Sequence, residues 1–315
     1  MPFPLARFIR LLVAVGLTAI VIWRANPSAV VSVAGQASPG WVLAAVLLVL
    51  VDRSLMAWRW MDLLCALTPG SRPPFLTILR VFFVSTFVGT FLPSVGGDAY
   101  RAYALSRYDV RLSESAASVV MDRMLGVLSI ALVGGLAAAL APSMTVGTAI
   151  VAPLLAALVI CAAVAAAVFT DRGTAIARAL SALMPFKSLS RAATSLTEAM
   201  RRYSRHHVEL FRVLVASLGV QAIRVLQAYC LGRAIAVDLP LATYFLLIPI
   251  VLLVMLLPIT INGLGTSQYA FDVLFGQAGV PSAQAVALSI LFVALGVVGN
   301  LPGSILYAAD TRRTA

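Results

Sequence analysis

Hydrophobic positions along this chain fall in long blocks, not in the alternating or one-sided stripes of a soluble domain. Trp41 to Leu64, Ser115 to Leu140, Val146 to Phe169, Val208 to Leu231 and Ala283 to Ala308 are apolar nearly all round, and a shorter block runs from Leu11 to Trp23. Helices that cross ~30 Å of hydrocarbon need ~20 such residues. Two further blocks break. Val81 to Leu92 stops at Pro93 and passes into Ser94-Val95-Gly96-Gly97-Asp98-Ala99-Tyr100-Arg101. Tyr244 to Leu257 stops at Pro258 and passes into Ile259-Thr260-Ile261-Asn262-Gly263-Leu264-Gly265-Thr266-Ser267-Gln268. Neither broken arm is comfortably long enough to span. Interrupted backbone at membrane depth persists only where protein or a wet cavity satisfies its polar groups. Paired breaks in corresponding places of two halves point to a transporter-like binding site.

Composition agrees with a membrane protein. The chain is 61% hydrophobic and 11% charged, where a soluble domain carries ~25% charge. Cys65, Cys161 and Cys230 are scattered and odd in number, and the two histidines, His206 and His207, are adjacent in a charged stretch. This predicts neither a disulfide framework nor a metal site, and no cofactor. A net charge of +11 on a soluble protein would suggest nucleic acid. Here it reads instead as the excess of basic residues on cytoplasmic loops.

The clearest basic block is 171–207, with Arg172, Arg178, Lys187, Arg191, Arg201, Arg202 and Arg205. The spacing of Ile176, Leu180 and Leu183, then Leu196 and Met200, predicts amphipathic helices on the inner leaflet, interrupted at Pro185. Placing this block inside puts both termini in the cytoplasm. A basic start before a short apolar core also fits a signal peptide, but no convincing cleavage site follows. The same sidedness makes both broken segments hairpins that enter and leave on one side. The order span, hairpin, span then occurs twice with opposite orientation, over 41–140 and 208–308. The expected fold is a single all-α polytopic membrane domain over 1–315, with about six spanning helices and two re-entrant hairpins in an inverted repeat. The alternative is two full-length helices per hairpin.

Membrane-depth charge marks the candidate site, because an ionised group there is costly and functional by default. Asp52, Leu55, Arg59 and Asp62 share a helical face. Asp122 and Arg123 point about 100° apart and should meet different partners. Arg224 lies with Gln221 on one face of its span. After Gly96-Gly97 a short helix should start, with Asp98 as its cap and Arg101 one turn on, forming an anion site at the helix N-terminus. A glycine-rich packing contact is the alternative. Asn262-Gly263-Leu264-Gly265 offers similar geometry on the other hairpin. For Asp52 and Arg59, and for Asp122 with Arg101, structural pairing and ligand handling are both open.

Three motifs carry a family resemblance. Leu92-Pro93-x-x-Gly96-Gly97-Asp98-x-x-Arg101, Asp122-Arg123-x-x-Gly126, and Pro258 with Gly263-Leu264-Gly265 resemble the transmembrane domain of lysylphosphatidylglycerol synthetases and their stand-alone flippase-like relatives. The resemblance runs from Trp41 to Leu306 and implies a protein that moves, or helps move, a polar lipid between leaflets. It departs in having Asp122-Arg123 for Glu-Arg, and Ser267-Gln268 where the family commonly has Arg-Glu. The second departure argues against a carboxylate- or proton-coupled role for the outer hairpin. Ending at Ala315, the chain is expected to lack the synthetases' soluble transfer domain.

The function expected is flippase-like translocation of an anionic or zwitterionic phospholipid or lipid-linked intermediate. No nucleotide-binding motif is present, so it is expected to run without ATP and not as an enzyme. An accessory subunit docking a glycosyltransferase or synthase, and an intramembrane enzyme acting on a lipid phosphate, are the alternatives. The expected partner is a phosphate-bearing membrane lipid, not nucleic acid. Candidate site residues are Pro93, Gly96, Gly97, Asp98, Arg101, Asp122, Arg123, Arg224, Pro258, Asn262, Gly263, Gly265 and Gln268.

Overall fold

The computed structural model describes residues 19–68, 70, 73–91, 94–105, 110–140, 148–182, 187–257 and 263–311. Among these residues there is no strand, and the chain is an all-α polytopic membrane protein. In chain order the helices are α1 (19–24), α2 (Pro27–Gly35), α3 (Pro39–Leu67), α4 (Phe75–Phe91), α5 (Ser94–Ala104), α6 (Leu112–Leu140) and α7 (Thr148–Phe169). They continue as α8 (Asp171–Ala182), α9 (Lys187–Arg202), a 3-10 turn (Tyr203–Arg205), α10 (His207–Ala234), α11 (Leu241–Leu256), α12 (Thr266–Gln277) and α13 (Ser282–Thr311).

Five helices are long and apolar enough to cross a membrane: α3, α6, α10, and the stretches Ala152–Phe169 of α7 and Ser282–Leu306 of α13. The sixth expected span, Leu11 to Trp23, lies mostly outside the described residues; only its end is seen as α1. Proline sets several starts, because its fixed φ and missing N–H suit a first helical turn. Pro39 opens α3 behind Ser38, and Pro27 opens α2.

The two broken segments form short helix pairs. Their first arms, α4 and α11, have 17 and 16 residues, and their second arms, α5 and α12, have 11 and 12. At 1.5 Å per residue even the longest reaches only about 26 Å. The flanking helices α3 and α6 have 29 residues each, and α10 and α13 have 28 and 30. Long, short, short, long therefore occurs twice, each element matched within a residue. Packing follows the same rule. The dominant contact is α3 against α10; α4 packs on α13 as α11 packs on α6, and α6 meets α10 as α13 meets α3.

One expectation fails at the first hairpin. The second arm begins at Ser94, so Gly96 and Gly97 lie inside α5 and Asp98 is not its cap. Mid-helix glycine costs about 1 kcal/mol relative to alanine, and close packing explains it here. A Cβ on Gly97 would stand 2.7 Å from the Ser85 carbonyl oxygen and 3.0 Å from Cα of Gly89. Glycine thus sets the contact of α5 with α4. Gly97→Ala should force the arms apart and cost about 1–3 kcal/mol by thermal unfolding in detergent. Gly135→Ala, where a Cβ meets nothing within 4 Å, should instead keep stability or raise it by up to about 1 kcal/mol.

The basic segment forms α8 and α9, on either side of the expected break; Pro185 itself lies outside the described residues. The apolar face of α9 does not rest on lipid alone. Ala199 and Met200 are buried with Leu63, Met121 and Val213, and the Tyr203 hydroxyl donates to the Leu63 carbonyl at 2.9 Å. Arg202 pairs with Glu114 at 2.7 Å, and Arg201 pairs with Asp171. Packing against α3, α6 and α10 removes this stripe from the membrane surface and leaves the basic face outward.

Candidate functional site

Three aspartates organise the centre, Asp52 and Asp122 buried and Asp98 half-buried, each gripped by arginines from other helices or from its own. On α3 the Asp52, Arg59, Asp62 stripe faces α6 and α10. Arg59 donates through Nε to Asp122 Oδ1 at 2.7 Å and through Nη1 to Ser217 Oγ at 2.9 Å. The other oxygen of Asp122, Oδ2, faces Arg101 Nη1 at 3.6 Å. Asp52 Oδ1 accepts from Arg224 Nε at 3.2 Å, and its Oδ2 accepts from Arg53 Nη1 at 3.1 Å. Asp62 meets Arg212 at 3.0 Å, away from this centre. Asp98 binds Arg123 through both oxygens, Nε at 2.9 Å and Nη2 at 3.0 Å. Asp122 and Arg123 thus meet different partners, as their divergence on one helix requires.

Arg101 is enclosed by aromatic rings. Its guanidinium lies 5.0 Å from the Trp60 ring centroid and 4.7 Å from that of Phe82. Nε reaches the Ser85 hydroxyl at 3.4 Å. Such aromatic faces stabilise a desolvated cation by about 2 kcal/mol or more. Arg101 and Arg59 are each 4% exposed, whereas Arg224 is 21% and Arg123 51% exposed. Arg59 and Arg101 are therefore the enclosed charges, and Arg123 and Arg224 the more open ones.

These groups line two connected cavities. The larger, about 360 Å³, lies between the first arms of the two hairpins, against α3, α10 and α13. Its polar wall carries Asp52, Arg53, Asp98, Arg101, Arg123 and Arg224. Hydroxyls and amides continue it: Ser85, Thr86 and Thr90 on α4, Gln227 on α10 and Asn300 on α13. Leu252, Met255, Leu256, Phe292 and Val297 make the opposite, apolar side. The smaller cavity, about 60 Å³, lies behind, where Arg59, Asp122 and Gln221 join Arg101, Arg123 and Arg224. Across both, five arginines meet three aspartates, a surplus of two positive charges. Among the described residues Arg53 Nε, Arg101 Nη1, Gln221 Oε1, Gln227 Nε2 and Asn300 Oδ1 are buried with no hydrogen-bond partner.

Of the residues expected from sequence, Gly97, Asp98, Arg101, Arg123 and Arg224 line the larger cavity and Asp122 the smaller. Gly96 belongs to α5. Gly263 and Gly265 hold positive φ of 73° and 84° in the turn before α12, a region open to glycine. Gln268 folds back on that turn, its Oε1 accepting from the Gly265 N–H at 2.6 Å and from the Ser267 hydroxyl at 3.1 Å. These three residues build a helix start and line neither cavity. Pro93, Pro258 and Asn262 lie outside the described residues. Sequence reasoning placed Arg53, Gln227 and the α4 hydroxyls at no site. Asn300 carries no signal beyond being an amide in an apolar run.

A helical bundle with two short helix pairs around a cation-rich cavity places the chain among polytopic all-α membrane proteins. The chain belongs to the family described as the lysylphosphatidylglycerol synthase TM region, whose model matches residues 7–303. It is also similar to the glycosyltransferase AglD of Haloferax volcanii, 32% identical over 126 residues, 40% of this chain. That match spans only 20% of the relative's length.

Proposed function

We propose that the chain translocates an anionic or zwitterionic phospholipid or lipid-linked intermediate between leaflets without ATP, and is not itself an enzyme. The observation that carries this reading is the two-sided cavity. Arginines and hydroxyls face an apolar wall across about 360 Å³, near the small end of the ~300–1,000 Å³ range of ligand pockets. That volume suits a headgroup and leaves the acyl chains outside, among the exposed apolar side chains. Membership of the synthase TM family supports lipid as the ligand. We place the protein in the bacterial inner membrane with both termini cytoplasmic. The matched helix lengths and packing support an inverted repeat, with hairpins entering from opposite faces.

The likeness to AglD favours a second reading, in which the domain serves a glycosyltransferase as a membrane partner. Reconstitution separates the two. Purified protein in liposomes should make a fluorescent phospholipid accessible from the outer leaflet faster than protein-free vesicles do. Equal rates with and without protein would reject translocation and leave the partner role. For the topology, Val95→Cys and Asn262→Cys should both resist a membrane-impermeant thiol reagent added to either side. Ready labelling from opposite surfaces would reject re-entrant hairpins.

A further inference from the structure

Behind the smaller cavity the bundle is sealed by an apolar layer that a short segment completes. About a turn beyond the contacts of Arg59 with Asp122 and Ser217, the same three helices become apolar at Leu63, Ala117 and Val213. All three side chains are fully buried. The largest buried side chain of this layer comes from outside the long helices. It is Tyr203, on the 3-10 turn after α9, and its hydroxyl donates to the Leu63 carbonyl at 2.9 Å. Burial first, and then the carboxylates of Asp122 and Glu114, push that hydroxyl well above the ordinary tyrosine pKa. The Tyr203 hook therefore reaches into the field of the buried pair at the site.

What holds this hook is weaker than what it closes. Arg202 ties α9 to Glu114 at 2.7 Å, beside Arg111 on the same carboxylate at 3.1 Å, and Arg201 pairs with Asp171. Glu114 is buried, but all three arginines reach water. Ion pairs with an exposed partner contribute little and are screened by salt, whereas the pair of Arg59 with Asp122 is enclosed. Among the described side chains of α9 only Ala199 and Met200 are buried. Few buried contacts and water-exposed ties mark a segment that opens before the rest of the fold.

We infer that the end of α9 is a cytoplasmic gate: Tyr203 is the stopper between the smaller cavity and the cytoplasm, and the pair of Arg202 with Glu114 is the latch that releases it. This rests on the reading of the chain as a translocator with α9 on the cytoplasmic side. A translocated headgroup needs a way out of the cavity on each side, and lifting Tyr203 supplies the cytoplasmic one.

The test uses the full chain in oriented membrane vesicles, carrying Cys65→Ala, Cys161→Ala and Cys230→Ala, with Gln221→Cys as the reporter in the smaller cavity. A membrane-impermeant maleimide is applied from either side. From the cytoplasmic side, labelling of this parent should be slow and should rise with salt. Arg202→Gln should speed it several-fold and blunt the salt response. Tyr203→Ala should speed it by about tenfold or more, the equivalent of about 1.4 kcal/mol of closure. Labelling from the opposite side should stay as in the parent, and thermal unfolding shows that each variant is folded. An unchanged cytoplasmic rate in both folded variants would overturn the gate. So would a rise of equal size from both sides, which marks general loosening. A rise confined to the opposite side would overturn the cytoplasmic placement of α9 and the gate with it. No lipid substrate enters the measurement, so a gate that fails leaves the liposome result for translocation standing.

Discussion

Asp122→Ala should lose about 3–5 kcal/mol of stability, the range for removing one partner of a buried ion pair. The loss strands two cations at once. Arg59 and Arg101 are each 4% exposed and neither can reach water without unpacking its helix. Arg59 would keep only the Ser217 hydroxyl; Arg101 would keep its aromatic neighbours and Ser85. Because Asp122 ties α6 to α3 and to α5, the damage should reach the first hairpin, and ligand handling should fail with folding. Asp122→Asn, which preserves shape but not charge, should recover little. Thermal unfolding in mild detergent measures this, and a variant within about 1 kcal/mol of the parent would reject the paired-arginine account. Arg101→Ala should also destabilise, because its guanidinium fills the space between Trp60 and Phe82. The sequence alone argues otherwise, since an arginine after a glycine pair on a half-helix looks open to a ligand.

That difference marks where the sequence stops being informative. Block hydropathy and proline breaks located the five long helices and both short pairs, because length and apolarity are local properties that hydrocarbon thickness reads directly. The divergence of Asp122 and Arg123 followed from helix geometry alone. Which arginine is enclosed and which is open depends on neighbours far along the chain, such as Trp60 and Phe82 around Arg101, and no local pattern contains them. The start of α5 was misplaced for a related reason. A glycine pair reads as a break until the close approach of Ser85 and Gly89 shows why glycine sits inside the helix. Gln268 was misread as ligand-facing because its capping role needs the turn at Gly265 to be seen. The amphipathic period of α9 was legible, but the hydrophobic surface it would cover was not.

Arg123→Ala should reduce phospholipid translocation by about tenfold to a hundredfold with little loss of stability. Its side chain is 51% exposed, so the pair with Asp98 should contribute less to folding than the enclosed pair of Arg59 with Asp122. Its role toward a ligand is larger, because a hydrogen bond between charged groups is worth about 1.5–3 kcal/mol, and each 1.4 kcal/mol is tenfold. The substitution also frees Asp98, which then presents an unpaired carboxylate to an anionic headgroup. Asp98→Asn added to Arg123→Ala removes that repulsion and should restore part of the rate, though not the lost donor. A single variant that translocates at the parent rate, or a double variant slower than the single, would show that Arg123 and Asp98 act as an ordinary strut between α5 and α6 and that the ligand is held elsewhere.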